Sequence, residues 1–215
     1  VLAFLHTAAA HVPVFEGIVR ALSPAIVTQH SVRGDLLARA FADGAVTDST
    51  RDATQTEVQR LVADGARVVL CTCSTLGNAA EATPHTPEIQ IIRVDRIMAE
   101  RAAALGKPLL IVAAIPTAME TAIALLDEAA TALGGARTVR RHLLCSAVWP
   151  HFLAGDHAAY AEALARQITQ NARSGDVVVL AQASMAPAAA LIERPDIEIL
   201  TSPELGVRAA LSRLG

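Results

Sequence analysis

The sequence predicts an α/β protein of two pseudo-symmetric parallel-sheet halves, with the active site in the cleft between them. Three observations carry this. Eight short apolar or β-branched runs alternate with alanine-rich helical stretches, the runs are apolar on both faces, and the second half of the chain echoes the first.

The runs, in order, are Val1 to His6, Ala25 to His30, Val68 to Cys73, Ile89 to Val94, Leu109 to Ile115, Thr138 to Cys145, Val177 to Gln182 and Ile197 to Leu200. None shows the polar–apolar alternation of a strand with one wet face, so each is expected to be covered by helices on both sides. Between them, Asp52 to Ala63, Met98 to Leu105, Thr117 to Leu133 and His157 to Ala172 carry apolar residues at helical spacing.

The internal echo sets the domain limits. Ile89-Gln90-Ile91-Ile92 returns as Ile197-Glu198-Ile199-Leu200, an offset of about 108 residues. Val68 to Ser74 returns as Val178 to Ser184 at about 110, and Leu5-His6-Thr7 has an echo in Ile115-Pro116-Thr117. The first half is therefore expected to span 1–105 and to be completed by a C-terminal helix, 203–215, with the second half at 106–202. Ligands of open parallel sheets bind beyond the carboxyl ends of the strands, which predicts a cleft lined by Thr7, Cys73, Thr117 and Gln182 to Ser184.

Composition narrows the chemistry. The 215 residues carry 18 Lys plus Arg against 21 Asp plus Glu, a net charge of −3 that offers no basic stripe, so nucleic acid is not an expected partner. The longest uncharged stretch, Val177 to Ile192, falls short of the ~20 apolar residues of a membrane span. With no basic n-region ahead of Val1, a cytoplasmic location is expected. The single lysine, Lys107, sits in a Gly-Lys-Pro turn that lacks the frame of a phosphate loop, and neither a G-x-G fingerprint nor a G-x-S-x-G elbow occurs. Cys71, Cys73 and Cys145 have no disulfide or metal spacing and read as reduced thiols, with no metal site.

Cys73 is the leading candidate. It stands where a strand stops and Ser74-Thr75-Leu76-Gly77-Asn78 opens a helix, and a helix start offers dipole and free N–H groups that favour thiolate. Those groups and the hydroxyls of Ser74 and Thr75 are expected to hold a substrate carboxylate. Cys71, deeper on the same face, reads as core. His6 and Thr7, at the end of the first strand, are candidates for ligand contact. His30, the Trp149-Pro150-His151-Phe152 patch and the Arg93, Asp95, Arg96 group read more simply as structure: the aromatics packing between halves, though a lone Trp equally fits a pocket lining, the charges as a solvated helix start or a brace of the domain interface.

On these residues the sequence resembles the aspartate/glutamate racemase superfamily, which includes glutamate, aspartate and hydantoin racemases, maleate isomerase and arylmalonate decarboxylase. Gly65 to Thr75 is similar to the family's strand ending in C-N-T, with Ser74 in the Asn position and Cys73 in that of the first catalytic cysteine. Asp176 to Met185 is similar to the second signature strand, with Gln182 where the second cysteine stands. Thr117 and Thr121 resemble the family's substrate-binding threonines. The resemblance implies cofactor-independent chemistry at a carbon next to a carboxylate, with one acid/base group from each half. This chain has half of that pair. Opposite Cys73 the motif overlay places Gln182, the internal repeat Ala183, and the demand for a proton-bearing group Ser184.

The reading that results is a racemase or isomerase-type enzyme acting on a small amino acid or dicarboxylate, with Cys73 as base or nucleophile. A single-thiol decarboxylase or lyase and a non-catalytic carboxylate sensor are the alternatives, and a homo-oligomer is left open.

Overall fold

The computed structural model describes residues 1–134 and 138–214; 135–137 of the expected second half and Gly215, the end of the expected C-terminal helix, lie outside the described residues. The chain divides into two compact units, Val1–Arg96 with Pro203–Gly215, and Ile97–Ser202. In the first unit the elements are β1 (Leu2–His6), α1 (His11–Leu22), β2 (Thr28–Val32), α2 (Gly34–Asp43), α3 (Asp48–Ala63), β3 (Val68–Cys71), α4 (Ser74–Glu81) and β4 (Gln90–Arg93). The second holds α5 (Arg96–Leu105), β5 (Leu109–Ala113), α6 (Pro116–Ala132), β6 (Arg140–Leu144), α7 (Trp149–Leu153), α8 (His157–Asn171), β7 (Val177–Leu180), α9 (Ala186–Ala189) and β8 (Glu198–Leu200), after which α10 (Ser202–Ser212) returns to the first.

Each unit is one four-stranded, all-parallel sheet, in the order β2-β1-β3-β4 and β6-β5-β7-β8. All eight expected strands are present, and the two sheets repeat one topology. Helices start where local chemistry allows: the Thr47 side chain accepts the Thr50 N–H ahead of α3, Asp156 accepts the Ala159 N–H ahead of α8, and Pro116 opens α6 with its preset φ.

The boundary lies at Arg96/Ile97 rather than 105/106, so α5 goes with the second unit. A physical tie is visible in Arg101, whose guanidinium donates to Glu198 on β8 at 2.8 Å. A second difference concerns the edge strands. The second run is displaced to Thr28–Val32, and neither it nor Arg140–Leu144 is apolar throughout; on β6 no residue is buried. Edge strands have one neighbour only, and β6 turns its outer residues into ion pairs, Arg140 with Asp127 at 2.7 Å and Arg141 with Asp176. The central strands β1, β3, β5 and β7 are buried along their whole length.

Alternation along β1 separates two cores in the first unit. Ala3 and Leu5 share one face with Val69, Cys71 and Cys73 and pack under Leu36, Val58, Leu61 and Leu76 of α2, α3 and α4. On the other face Phe4 meets Phe15 of α1, and His6 and His30 stack on it. In the second unit Trp149, Phe152 and Tyr160 form one aromatic group on the core of Leu110, Val112, Leu164 and Leu180, so the Trp149 patch packs within its own unit.

The first unit is closed by α10, which crosses Val94 at a glycine. A Cβ on Gly206 would lie 2.7 Å from the Val94 carbonyl oxygen. Backbone cannot yield as a flexible side chain does, so Gly206→Ala is expected to lower unfolding free energy by about 1–3 kcal/mol, read by urea denaturation.

Candidate active site

In both sheets the first and third strands lie side by side, so their carboxyl ends emerge together. Thr72 N–H donates to the Leu5 carbonyl at 2.9 Å and Ala181 N–H to the Val112 carbonyl at 2.9 Å, equivalent bonds in equivalent places. Leu2 pairs with Val68 and Leu109 with Val177. Carried along the chain, this register sets Leu180 on Cys71 and Gln182 on Cys73, and it removes Ala183, the residue favoured by the sequence repeat. Cys73 and Gln182 are both extended residues heading a helical turn, with φ/ψ of −107/114 and −124/139.

Cys73 is 7% exposed, against 0% for Cys71 and 2% for Cys145. Burial pushes its thiol above the ordinary value, and hydrogen bonding from the Thr7 side chain, then from the backbone N–H groups of Leu76 and Thr75, pulls against that without reversing it. The expected preference for thiolate is therefore corrected: the helix-start donors are in place, but desolvation outweighs them, and the resting group is a thiol. The N–H groups of Thr75 and Leu76, expected to meet a carboxylate, are turned toward sulfur. Ser74 and Thr75 are themselves buried, at 4% and 3% exposed, whereas Thr7 is half-buried.

His6, expected near ligand, is fully buried with both ring nitrogens engaged: Nδ1 lies 2.8 Å from Thr72 Oγ1 and Nε2 lies 2.9 Å from Nδ1 of His30. His30 Nε2 continues to Glu16 Oε2 at 3.0 Å. The Thr28 hydroxyl, followed by His30, holds the Glu16 carboxyl below its usual range, so Glu16 accepts. The Thr72 hydroxyl donates to the Leu5 carbonyl at 3.2 Å, so the polar row runs from the β1 backbone through Thr72, His6 and His30 to Glu16. This row fixes β1 and β3 against each other one residue before Thr7 and Cys73. The ring makes that contact in the core and not at a ligand.

In the second unit, Gln182 is 8% exposed and its Oε1 accepts the Ala114 N–H at 2.6 Å. That bond settles the amide orientation and leaves Nε2–H₂ as its outward donor. The partner positions repeat those of the first unit, since Ala114 follows β5 as Thr7 follows β1. Ser184 Oγ lies 3.2 Å from the Tyr160 hydroxyl, a phenol whose pKa burial pushes up while the bond to Ser184 lowers it. It is no base for activating a serine. Thr117 is 7% exposed in the first turn of α6, and its carbonyl accepts the Thr121 hydroxyl at 2.9 Å.

The structure thus gathers Cys73, Thr7, Ser74 and Thr75 in the first unit, and it places Gln182, Ser184 and Thr117 at the matching end of the second. Sequence reasoning passed over Thr72, which the alternation of β3 puts beside His6, and it read Arg93 and Asp95 as a solvated helix start or a brace. They are 1% exposed each. Among the described residues, no group of three or more His, Cys, Asp or Glu is placed to hold a metal ion, and no helix is long and apolar enough to cross a membrane.

No family model and no curated protein matches the sequence. Solved structures do. An aspartate racemase from Picrophilus torridus is similar with a TM-score of 0.70 at 10% identity, over 99% of this chain and 92% of that one. The chain has the fold of this aspartate racemase. A glutamate racemase from Bacillus anthracis matches at a TM-score of 0.65 and 16% identity, covering 100% of this chain and 82% of its own. Unliganded arylmalonate decarboxylase matches at 0.57 and 14% identity, covering 100% and 92%.

Two outcomes are expected. Cys73 alkylation by iodoacetamide, followed by peptide mass spectrometry, rises with pH through a midpoint above the ~8.5 of a free thiol. His6, depressed from 6.5 to about 3 by burial and then by His11 and His30, stays neutral in the folded chain while the unfolded chain takes up a proton. Its stabilisation is whole above pH 6.5 and is lost as pH falls toward 3, at about 1.4 kcal/mol per pH unit. His6→Gln flattens that slope in denaturation curves measured from pH 4 to 7.

Proposed function

We propose that the protein is a cofactor-independent enzyme of the racemase or isomerase type, acting at the carbon next to a carboxylate of a small amino acid or dicarboxylate. The observation that carries this is Cys73: one thiol at the end of β3, heading α4, with the Thr7 side chain and two backbone N–H groups turned toward it, in a chain with the racemase fold. Those donors favour the thiolate once substrate has formed it, and the burial that keeps the resting group protonated favours proton delivery.

Where a two-thiol racemase would have its second thiol, Gln182 supplies an amide donor. An amide stabilises negative charge on an enolate or carboxylate oxygen but moves no proton. The substrate carbon is accordingly served from one face. An α-proton passes to the sulfur of Cys73 after the thiol has given its own proton to solvent, whereas departure of carbon dioxide needs no base; either loss leaves the same electron-rich carbon, conjugated with the remaining carboxylate. The Cys73 S–H bond breaks as its proton passes to that carbon, and the thiolate left behind is reprotonated from solvent.

The resting thiol and the amide at Gln182 favour a second reading within the same chemistry, a single-thiol decarboxylase or lyase. A leaving carboxylate needs no base, only a proton for the carbon it vacates.

The test is a panel of dicarboxylates, amino acids and hydantoins in deuterium oxide, read by chirality, isotope uptake and released carbon dioxide. Deuterium is expected to enter one enantiomer faster than racemisation proceeds, or carbon dioxide to appear with one-handed deuterium, and Cys73→Ala abolishes both. Gln182→Cys raises racemisation relative to other turnover. Equal exchange from both enantiomers in the unaltered protein would sink the one-face mechanism, and full turnover in Cys73→Ala would sink the assignment of the thiol.

A further inference from the structure

The least expected group in the first unit is a guanidinium sealed beneath α4. Arg93, the last residue of β4, has a side chain that is 0% exposed. Its Nε lies 2.6 Å from Asp95 Oδ1 and its Nη2 lies 2.9 Å from Asp95 Oδ2, a bidentate pair between the last strand residue and the turn that follows it. Two more donors of the fork point at α4: Nη1 donates to the Asn78 side-chain oxygen, and Nη2 reaches the Ser74 carbonyl at 3.3 Å. Glu81, at the far end of α4, accepts the Arg93 backbone N–H at 3.2 Å and the Arg96 Nε–H at 2.9 Å.

The helix is built around this side chain. A Cβ on Gly77 would lie 2.8 Å from Arg93 Nε and 3.0 Å from its Cζ, so the guanidinium fills the space a side chain would take. Gly77 and Asn78 are adjacent: one vacates the volume and the other supplies the acceptor. Burying an ion pair costs several kcal/mol per ion before attraction returns it, and apolar packing could close the same gap at no loss of stability. The pair's yield is orientation, because a planar fork with fixed donors holds the first turn of α4 in one place.

That turn carries the backbone N–H groups of Thr75 and Leu76, and Ser74, the residue Arg93 grips, follows Cys73 directly. We infer that Arg93, held by Asp95 and seated on Gly77, is a positioning residue for the Cys73 thiol: it fixes where the first turn of α4 presents its N–H groups to sulfur. Its effect also has an electrostatic part. Asp95 raises the Cys73 pKa, as the smallest of its causes, and Asp95 is the carboxylate that Arg93 holds. The charged groups around the pair are Asp95 on its own segment, Glu81 and the dipole of α4 above it, and Arg96 at the start of α5.

The inference rests on Cys73 being the working thiol, but its test does not need turnover. Cys73 alkylation by iodoacetamide is followed against pH in the full chain, with peptide mass spectrometry to separate it from Cys71 and Cys145. In Gly77→Ala, which forces Arg93 off the helix, the midpoint is expected to rise by about one pH unit, a roughly tenfold slower reaction at a fixed pH below it. Asn78→Ala, which removes one grip, moves it the same way by less. Gly17→Ala in α1, where an added Cβ meets nothing within 4 Å, leaves it unchanged. Wild-type midpoints in folded Gly77→Ala and Asn78→Ala would overturn the inference, and Asn78→Ala decides alone if Gly77→Ala does not fold. Turnover surviving Cys73→Ala would remove Cys73 as the working thiol and leave the midpoint shift standing, so the two failures are distinct.

Discussion

Parallel pairing of the first and third strands is the constraint from which the candidate site follows. Because the hydrogen bonds of a parallel ladder are evenly spaced and each strand enters from the same side, the chain leaves β1 and β3 at one edge, in one register. The bond from Thr72 N–H to the Leu5 carbonyl sets it. With that bond in place, His6 comes to lie beside Thr72, and Thr7 beside Cys73. The side chains alternate, so the histidine row falls on the α1 face and the thiol on the face of α2, α3 and α4. One backbone register thus delivers two separate polar arrangements, a buried row that braces the strands and a strand-end thiol with donors around it.

At that thiol two effects of similar origin oppose each other. The helix start brings N–H groups and a favourable dipole end, and the same helix seals the thiol from water. Desolvation is the larger. One pKa unit corresponds to about 1.4 kcal/mol, no more than a single hydrogen bond contributes, so the balance is sensitive to small shifts of the first turn of α4. A thiol in that state is a proton store more than a nucleophile, and the burial that stabilises the fold is the cause.

The eight strands are legible in the sequence because central parallel strands must be apolar on both faces, and Val68-Val69-Leu70 or Val177-Val178-Val179 can be little else. The edge strands are less so: Arg140-Arg141-His142 has the pattern of a surface segment, since solvent and ion pairs satisfy its outer side. Cys73 is legible as a junction residue, from the switch between a β-branched run and Ser-Thr-Leu-Gly-Asn. What sequence spacing does not carry is the sign of its pKa shift, which depends on helices distant in the chain. Nor does it carry the burial of Arg93 and Asp95, because an Arg-x-Asp pair after a strand is most often wet. The signal that stands in the sequence is Gly77-Asn78, a gap and an acceptor on the helix that covers them.

The repeated register also reveals what the second unit has lost or never had. At the positions of His6, Thr7, Thr72 and Ser74 it carries Ala113, Ala114, Ala181 and Ala183, all buried, the first and third at 0% exposed. Alanine there is easy to acquire, since trimming a side chain asks only that neighbours close in. The reverse step is obstructed. Once Val112, Leu180 and their helices have settled around methyl groups, an imidazole has no volume to enter, and forcing it costs on the order of 1–3 kcal/mol before its nitrogens find partners. Divergence between the two units therefore works as a ratchet: one strand end keeps a titratable lining, and packing holds the other in its plain state.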